Sequence, residues 1–193
     1  VKKIAIVLAL ASIGCVRQKS AEETSPMPQK EVVNGNLTLA IEDVKGKAFT
    51  FADGFEKENC YIVADCDCCT SDFIFLENGT CVVEYYCLEA NDIFKGSYRV
   101  ANGKIEITYD ALAVAQEENI DDPDTLPDYE PRFTLSTRKI KPQKTMLTGK
   151  MCKSELILET DGKQKEFGSK NDISASDYTK RLKEEGIWQL LNP

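Results

Sequence analysis

The residues with the most chemical potential in this 193-residue chain are its eight cysteines, because it contains no histidine at all. That absence removes the side chain that most often serves as general base, or as zinc or copper ligand, at neutral pH. A catalytic triad or an imidazole-ligated metal is therefore excluded, and sulfur and carboxylate carry whatever chemistry there is. Apart from Cys15, the cysteines are Cys60, Cys66, Cys68, Cys69, Cys81, Cys87 and Cys152. In an oxidising compartment, disulfides are the expectation. Seven is odd, so at least one thiol stays free, pairs between molecules or binds something. The segment ADCDCCTSD crowds Cys66, Cys68 and Cys69 beyond what core packing explains. Reduced, such a cluster suits Cu(I) or Zn(II) and disfavours Cu(II) and nickel. Oxidised, it cannot ligate, so the two readings exclude each other at every sulfur.

The elements that must position these sulfurs read as strands. Asn78-Gly79, Asn102-Gly103 and Asp161-Gly162 each separate two alternating or apolar runs. Type I′ turns, which need positive φ at both central residues, favour these pairs. Adding the runs Leu37 to Ile41, Ala48 to Phe51, Arg132 to Ser136 and Thr145 to Thr148 predicts roughly ten strands, an all-β antiparallel meander forming a barrel or sandwich. A two-residue turn at Asn78-Gly79 sets Leu76 opposite Cys81 and Thr70 opposite Cys87, with Cys68 as the diagonal neighbour of Cys87. That register favours a Cys68 to Cys87 contact, leaving Cys60 to pair with Cys66 or Cys69. Cys81, near the turn, reads as a small buried hydrophobe, and Cys152 as either a hydrophobe or a ligand.

One helix is predicted near the end. Ser174 with Asp177 forms a capping pair, Tyr178 and Leu182 share a face, Arg181 and Glu185 lie four apart, and Gly186 stops it. The following Ile187, Trp188, Leu190 and Leu191 are expected to pin the tail to the barrel. Between Asp110 and Glu130 stand eight acids and no lysine or arginine, read as a long solvated connection. Its spacing does not match a calcium loop.

At the other end, Lys2 and Lys3 precede the apolar run Ile4 to Ile13, followed by Gly14 and Cys15. About ten apolar residues are too few to span a bilayer as a helix, which needs roughly 20. The segment Ser12-Ile13-Gly14-Cys15 resembles the lipobox of bacterial lipoproteins. The resemblance implies a signal peptide over residues 1–14, acylation of Cys15 and, with Val16 next, outer-membrane sorting in the cell envelope. Removing Lys2 and Lys3 with no acid takes the net charge from −8 to −10. No basic patch aids membrane attachment, so acyl chains must supply it. The lipidated cysteine and a proline-containing, polar tether occupy 15–36, and a single domain occupies 37–193.

A second resemblance rests on Cys66-x-x-Cys69, the strands DFIFLENGT and CVVEYY, and Gly96-Ser97-Tyr98 leading into the Asn102-Gly103 hairpin. Together, over about residues 60–109, these resemble lipocalin-like bacterial lipoproteins, including the copper-resistance and envelope-stress sensor family. The resemblance implies a lipocalin-like β-barrel, to which the residue pattern above adds one short C-terminal helix.

The search for an enzyme finds only Ser136-Thr137-Arg138-Lys139, which matches the S-x-x-K of penicillin-recognising enzymes but falls in a strand-like run rather than at a helix start. No P-loop, dinucleotide fingerprint or nucleophile elbow occurs. The acidic pI near 4.8 argues against a nucleic-acid partner. The expectation is a non-enzymatic, lipid-anchored protein that needs no cofactor and binds a small apolar ligand or an envelope partner. The alternatives are a Cu/Zn or redox sensor built on Cys60, Cys66, Cys68, Cys69 and Cys87, or a structural surface module.

Overall fold

The computed structural model describes residues 32–33, 36–64, 69–87, 90–118 and 133–193. Their strands are β1 (Val32–Val33), β2 (Asn36–Leu37), β3 (Ala48–Ala52), β4 (Gly54–Glu56), β5 (Tyr61–Val63), β6 (Cys69–Phe75), β7 (Thr80–Cys87), β8 (Ala90–Ala101), β9 (Lys104–Glu118), β10 (Phe133–Lys139), β11 (Lys144–Cys152), β12 (Glu155–Thr160) and β13 (Phe167–Lys170). Helices α1 (Ala175–Glu184) and α2 (Ile187–Leu190) follow. Eight of the strands, β3, β6 to β9 and β11 to β13, form a closed antiparallel barrel. Each pairs with the next, β9 pairs with β11, and β13 returns to β3. Closure removes the unpaired edges that an open sheet of these strands would carry.

Turn chemistry sets the register, and the three expected hairpins come out differently. Asn102 and Gly103 both adopt positive φ, 54° and 71°, and form the two-residue turn joining Ala101 to Lys104. At Asn78-Gly79 only Gly79 has positive φ, at 83°. The loop gains a residue there: the Leu76 amide donates to the Thr80 carbonyl, and the Gly79 amide to that of Leu76. The Asn78 side chain accepts the Thr80 amide at 3.1 Å, so the asparagine acts through its side chain. The three-residue loop moves every pair by one, setting Phe75 opposite Cys81 and Cys69 opposite Cys87. Asp161-Gly162 is no two-residue turn either. Thr160 closes onto Glu166 by main-chain and side-chain hydrogen bonds, and five residues lie between them. A fourth hairpin, at Lys153-Ser154, carries no glycine signal, and Lys153 takes the positive φ of 52°.

Two other expectations are corrected. The run Leu37 to Ile41 is strand only through Leu37. The Asp43 carboxylate accepts the Ala40 amide at 2.8 Å, and the chain turns into a short 3-10 helix at Ile41–Asp43. Leu39 then folds over Gly149 at one end of the barrel. The acidic stretch from Asp110 is strand as far as Glu118, because its apolar residues Ala113, Val114 and Ala115 are buried. The register of β8 on β9 shifts between Phe94 and Gly96, bending the pair. Below the bend β9 pairs with β11, and above it with β10.

Period-two alternation sends Phe73 and Phe75, Cys81 and Val83, and Phe49 and Phe51 into the barrel. The intervening Ala48, Ile74 and Val82 point outward and are also buried, packed with Tyr178, Leu182, Ile187 and Leu191. Both faces of β6 and β7 are covered, which is why their sequences read as near-continuous apolar runs. Helix α1 begins as expected, with the Ser174 hydroxyl accepting the Asp177 amide at 3.1 Å, and Gly186 ends it at φ 79°.

Candidate functional site

The barrel is filled at one end and open at the other. At the filled end Phe49 and Phe75 meet edge to face at 6.0 Å, and Phe75 and Tyr98 at 5.1 Å. The Tyr98 hydroxyl donates to the Leu76 carbonyl at 2.7 Å. Burial, with the neighbouring Cys81 and Glu77, pushes the Tyr98 phenol up to about 12. Midway, the Phe51 ring lies where a side chain at Gly168 would need to be, 2.4 Å from its Cβ position, so only glycine fits at 168.

Toward the other end the inward positions turn polar and a cavity of about 450 Å³ opens. Ser71 and Phe73 of β6, Val83 and Tyr85 of β7, Phe94 of β8 and Tyr109 of β9 form one wall. Residues 143–145 and the 160–166 loop form the other. The Tyr109 hydroxyl donates to Thr145 Oγ1 at 3.2 Å, and its ring meets Phe94 edge to face at 6.0 Å. Burial drives the Tyr109 phenol upward, keeping it a neutral donor.

The charged residues of this wall divide by direction. Lys144 Nζ is held 2.6 Å from Glu106, where it and Arg99 hold the Glu106 carboxyl below its usual range. Asp161 is held 3.3 Å from Lys104 Nζ. Lys165 pairs with Glu159 and is raised by that contact. Glu166, which lines the cavity, receives no hydrogen bond or ion pair on its carboxylate from any described residue. Its carboxyl is raised, first by burial and then by the negative charge of Asp53.

The cysteines lie elsewhere. Cys69 is disulfide-bonded to Cys87 across the β6–β7 ladder with Cα atoms 4.4 Å apart. That spacing belongs to a directly opposed, non-hydrogen-bonded pair. The expected Cys68 to Cys87 contact is thus corrected: the extra loop residue at Glu77 to Gly79 moves Cys87 opposite Cys69. Nor does Cys60 join Cys66 or Cys69. It sits at φ 65° at the tip of the β4–β5 hairpin, a strap laid across the outside of the barrel, and bonds Cys152, 92 residues away. Beneath the strap Phe55 stacks on Phe167 at 5.3 Å, with Lys150 Nζ 4.4 Å from both ring centroids. Cys81 is free, buried in the barrel and pushed far up by desolvation. Cys15, Cys66 and Cys68 lie outside the described residues. Among the described residues, no group of three or more cysteine, aspartate, glutamate or histidine side chains is placed to hold a metal ion.

Sequence reasoning missed the open mouth and Glu166. Their only trace is weak: polar residues at inward positions of otherwise apolar strands, as Ser71 stands two before Phe73. No family model, curated protein or solved structure matches the chain.

Proposed function

We propose that this is a lipocalin-like binding protein of the bacterial cell envelope, anchored through acylated Cys15, which takes up a small molecule in the open end of its barrel. The mouth cavity carries the reading. Its volume falls in the range of small-molecule sites, roughly 300 to 1,000 Å³, and it combines aromatic walls with a few polar groups, as such sites do. The ligand that suits it has an apolar body and a polar head, a refinement of the purely apolar ligand expected from the sequence. The reaction class is non-catalytic binding. A sensor based on thiolates would have to rest on Cys66 and Cys68, since Cys60, Cys69, Cys87 and Cys152 are oxidised.

A neutral fluorescent probe, N-phenyl-1-naphthylamine, tests the cavity. The expected result is saturable one-to-one binding that Ser71→Trp and Gln164→Trp, both filling the mouth, abolish without changing the circular dichroism of the barrel. Unchanged binding in both folded variants would end the proposal. For the anchor, the expected result is an intact mass raised by acyl chains that Cys15→Ala removes.

A further inference from the structure

We infer that the mouth of the barrel selects an organic cation, an amine or quaternary ammonium on an apolar body, with Glu166 as its counter-ion and the surrounding rings as its seat. The inference rests on the binding reading above and adds the charge of the ligand. Four aromatic side chains, Phe73, Tyr85, Phe94 and Tyr109, line the same cavity as Glu166. Ring faces are the negative part of an aromatic quadrupole, so a group of them favours a cation over a neutral or anionic head.

The disposition of charge at the mouth points the same way. Lys144 is committed to Glu106, and Lys165 to Glu159. Asp161 is occupied by Lys104. Glu166 is left half-buried, and no cation offsets the burial that raises its carboxyl. A half-buried carboxylate without a partner is unfavourable for folding unless something else supplies the positive charge. Glu166 also adds its negative charge to the environment of Tyr109 across the cavity, which places the two on the same space. The chain's net charge of −8 draws cations toward the surface and repels anions. An anionic lipid or fatty acid, by contrast, would meet Glu166 directly with no free lysine or arginine among the described lining residues.

Three probes of nearly equal shape separate charge from size: 1-naphthylmethylamine, protonated at neutral pH, 1-naphthylmethanol and 1-naphthoate. Each is titrated calorimetrically into the full chain and into Glu166→Gln and Ser71→Trp. The expected result is an amine bound about tenfold tighter than the alcohol, with the carboxylate weakest. Glu166→Gln should bring amine and alcohol within about twofold of each other, and Ser71→Trp should abolish both. Thr145→Trp repeats the block should Ser71→Trp fail to fold. A carboxylate bound as tightly as the amine, or an amine preference untouched by Glu166→Gln, overturns the charge selection. Alcohol binding that the tryptophans still block would then leave the binding reading standing. Failure of all three probes to bind overturns both.

Discussion

The filled end of the barrel and its mouth are built from the same strands, two or four residues apart on the same inward face. At the filled end Phe75 of β6 faces Cys81 of β7, and Tyr98 of β8 closes over them. Toward the mouth the same faces carry Ser71 and Tyr85, which pair directly across the β6–β7 ladder. Replacing a large apolar side chain by a small polar one leaves volume unfilled and supplies hydrogen-bonding groups to whatever enters. At the mouth β12 and β13 are joined through the five residues between Thr160 and Glu166. Tight packing and open volume thus lie at opposite ends of the barrel, so stability and the binding proposed for the mouth should each be breakable without the other.

The largest separation is expected from core truncation. Phe75→Ala should cost about 3 to 5 kcal/mol, read as the shift in a urea transition, whereas Thr145→Ala at the mouth should cost under about 1 kcal/mol while weakening probe binding. An equal loss at both positions would erase the distinction.

Outside the barrel, Glu84 is fully buried under α1 and held through both carboxylate oxygens by Arg181, whose Nη1 lies 3.3 Å from Oε1. Asp72 accepts from Thr50 at 2.6 Å and from Tyr178. Burial and the Asp72 hydrogen bond both raise the Tyr178 phenol. Arg181→Met strands the Glu84 charge and should cost about 3 to 5 kcal/mol. Adding Glu84→Leu should recover much of that loss in the same unfolding measurement. Failure of the second substitution to help would mean that packing by the arginine stem, not charge, is what α1 requires.

Removing the strap disulfide with Cys60→Ser and Cys152→Ser opens a loop of 92 residues and should cost about 2 to 5 kcal/mol. The Cys69 to Cys87 bridge closes only 18 residues, so its loss should cost less, about 3 kcal/mol at most. Melting temperatures of the two double variants give the order directly.

The smallest effect has the opposite sign. The folded state raises the Glu166 carboxyl, so its contribution to stability is full below the unfolded value near 4.3 and lost as pH rises through the folded one. Glu166→Gln should therefore melt slightly higher than the parent at neutral pH, and the difference should vanish in acid. The titratable or charged groups that act on Glu166 or share its cavity are Asp53, Tyr109, Lys144 and Asp161, and the comparison is best made where only carboxyls titrate. A variant less stable at neutral pH would show that Glu166 supports the fold rather than the mouth.

Much of the fold was legible because it follows from local rules. Helix α1 was readable from Ser174, Tyr178, Leu182 and Gly186, since capping and face periodicity act within a few residues. The Asn102-Gly103 turn was readable for the same reason. Asn78-Gly79 was not, because the same dipeptide supports a two-residue loop or a three-residue loop with Gly79 alone in the left-handed region, and that choice moved Cys87 from Thr70 to Cys69. The acidic run beyond Asp110 misled because its charge masked the apolar residues Ala113, Val114 and Ala115.

The absence of imidazole chemistry, the all-β class, the terminal helix and the chain's acidity are properties of composition or of residues close in the chain. Tertiary structure alone decided that Cys60 meets Cys152, that Arg181 reaches Glu84, and that Glu166 shares a cavity with four aromatic rings. Those meetings depend on barrel closure and on how a strap and a helix lie across its outside. Such long-range geometry is set by the sum of many registers, and one residue of difference in a single turn changes which side chains meet.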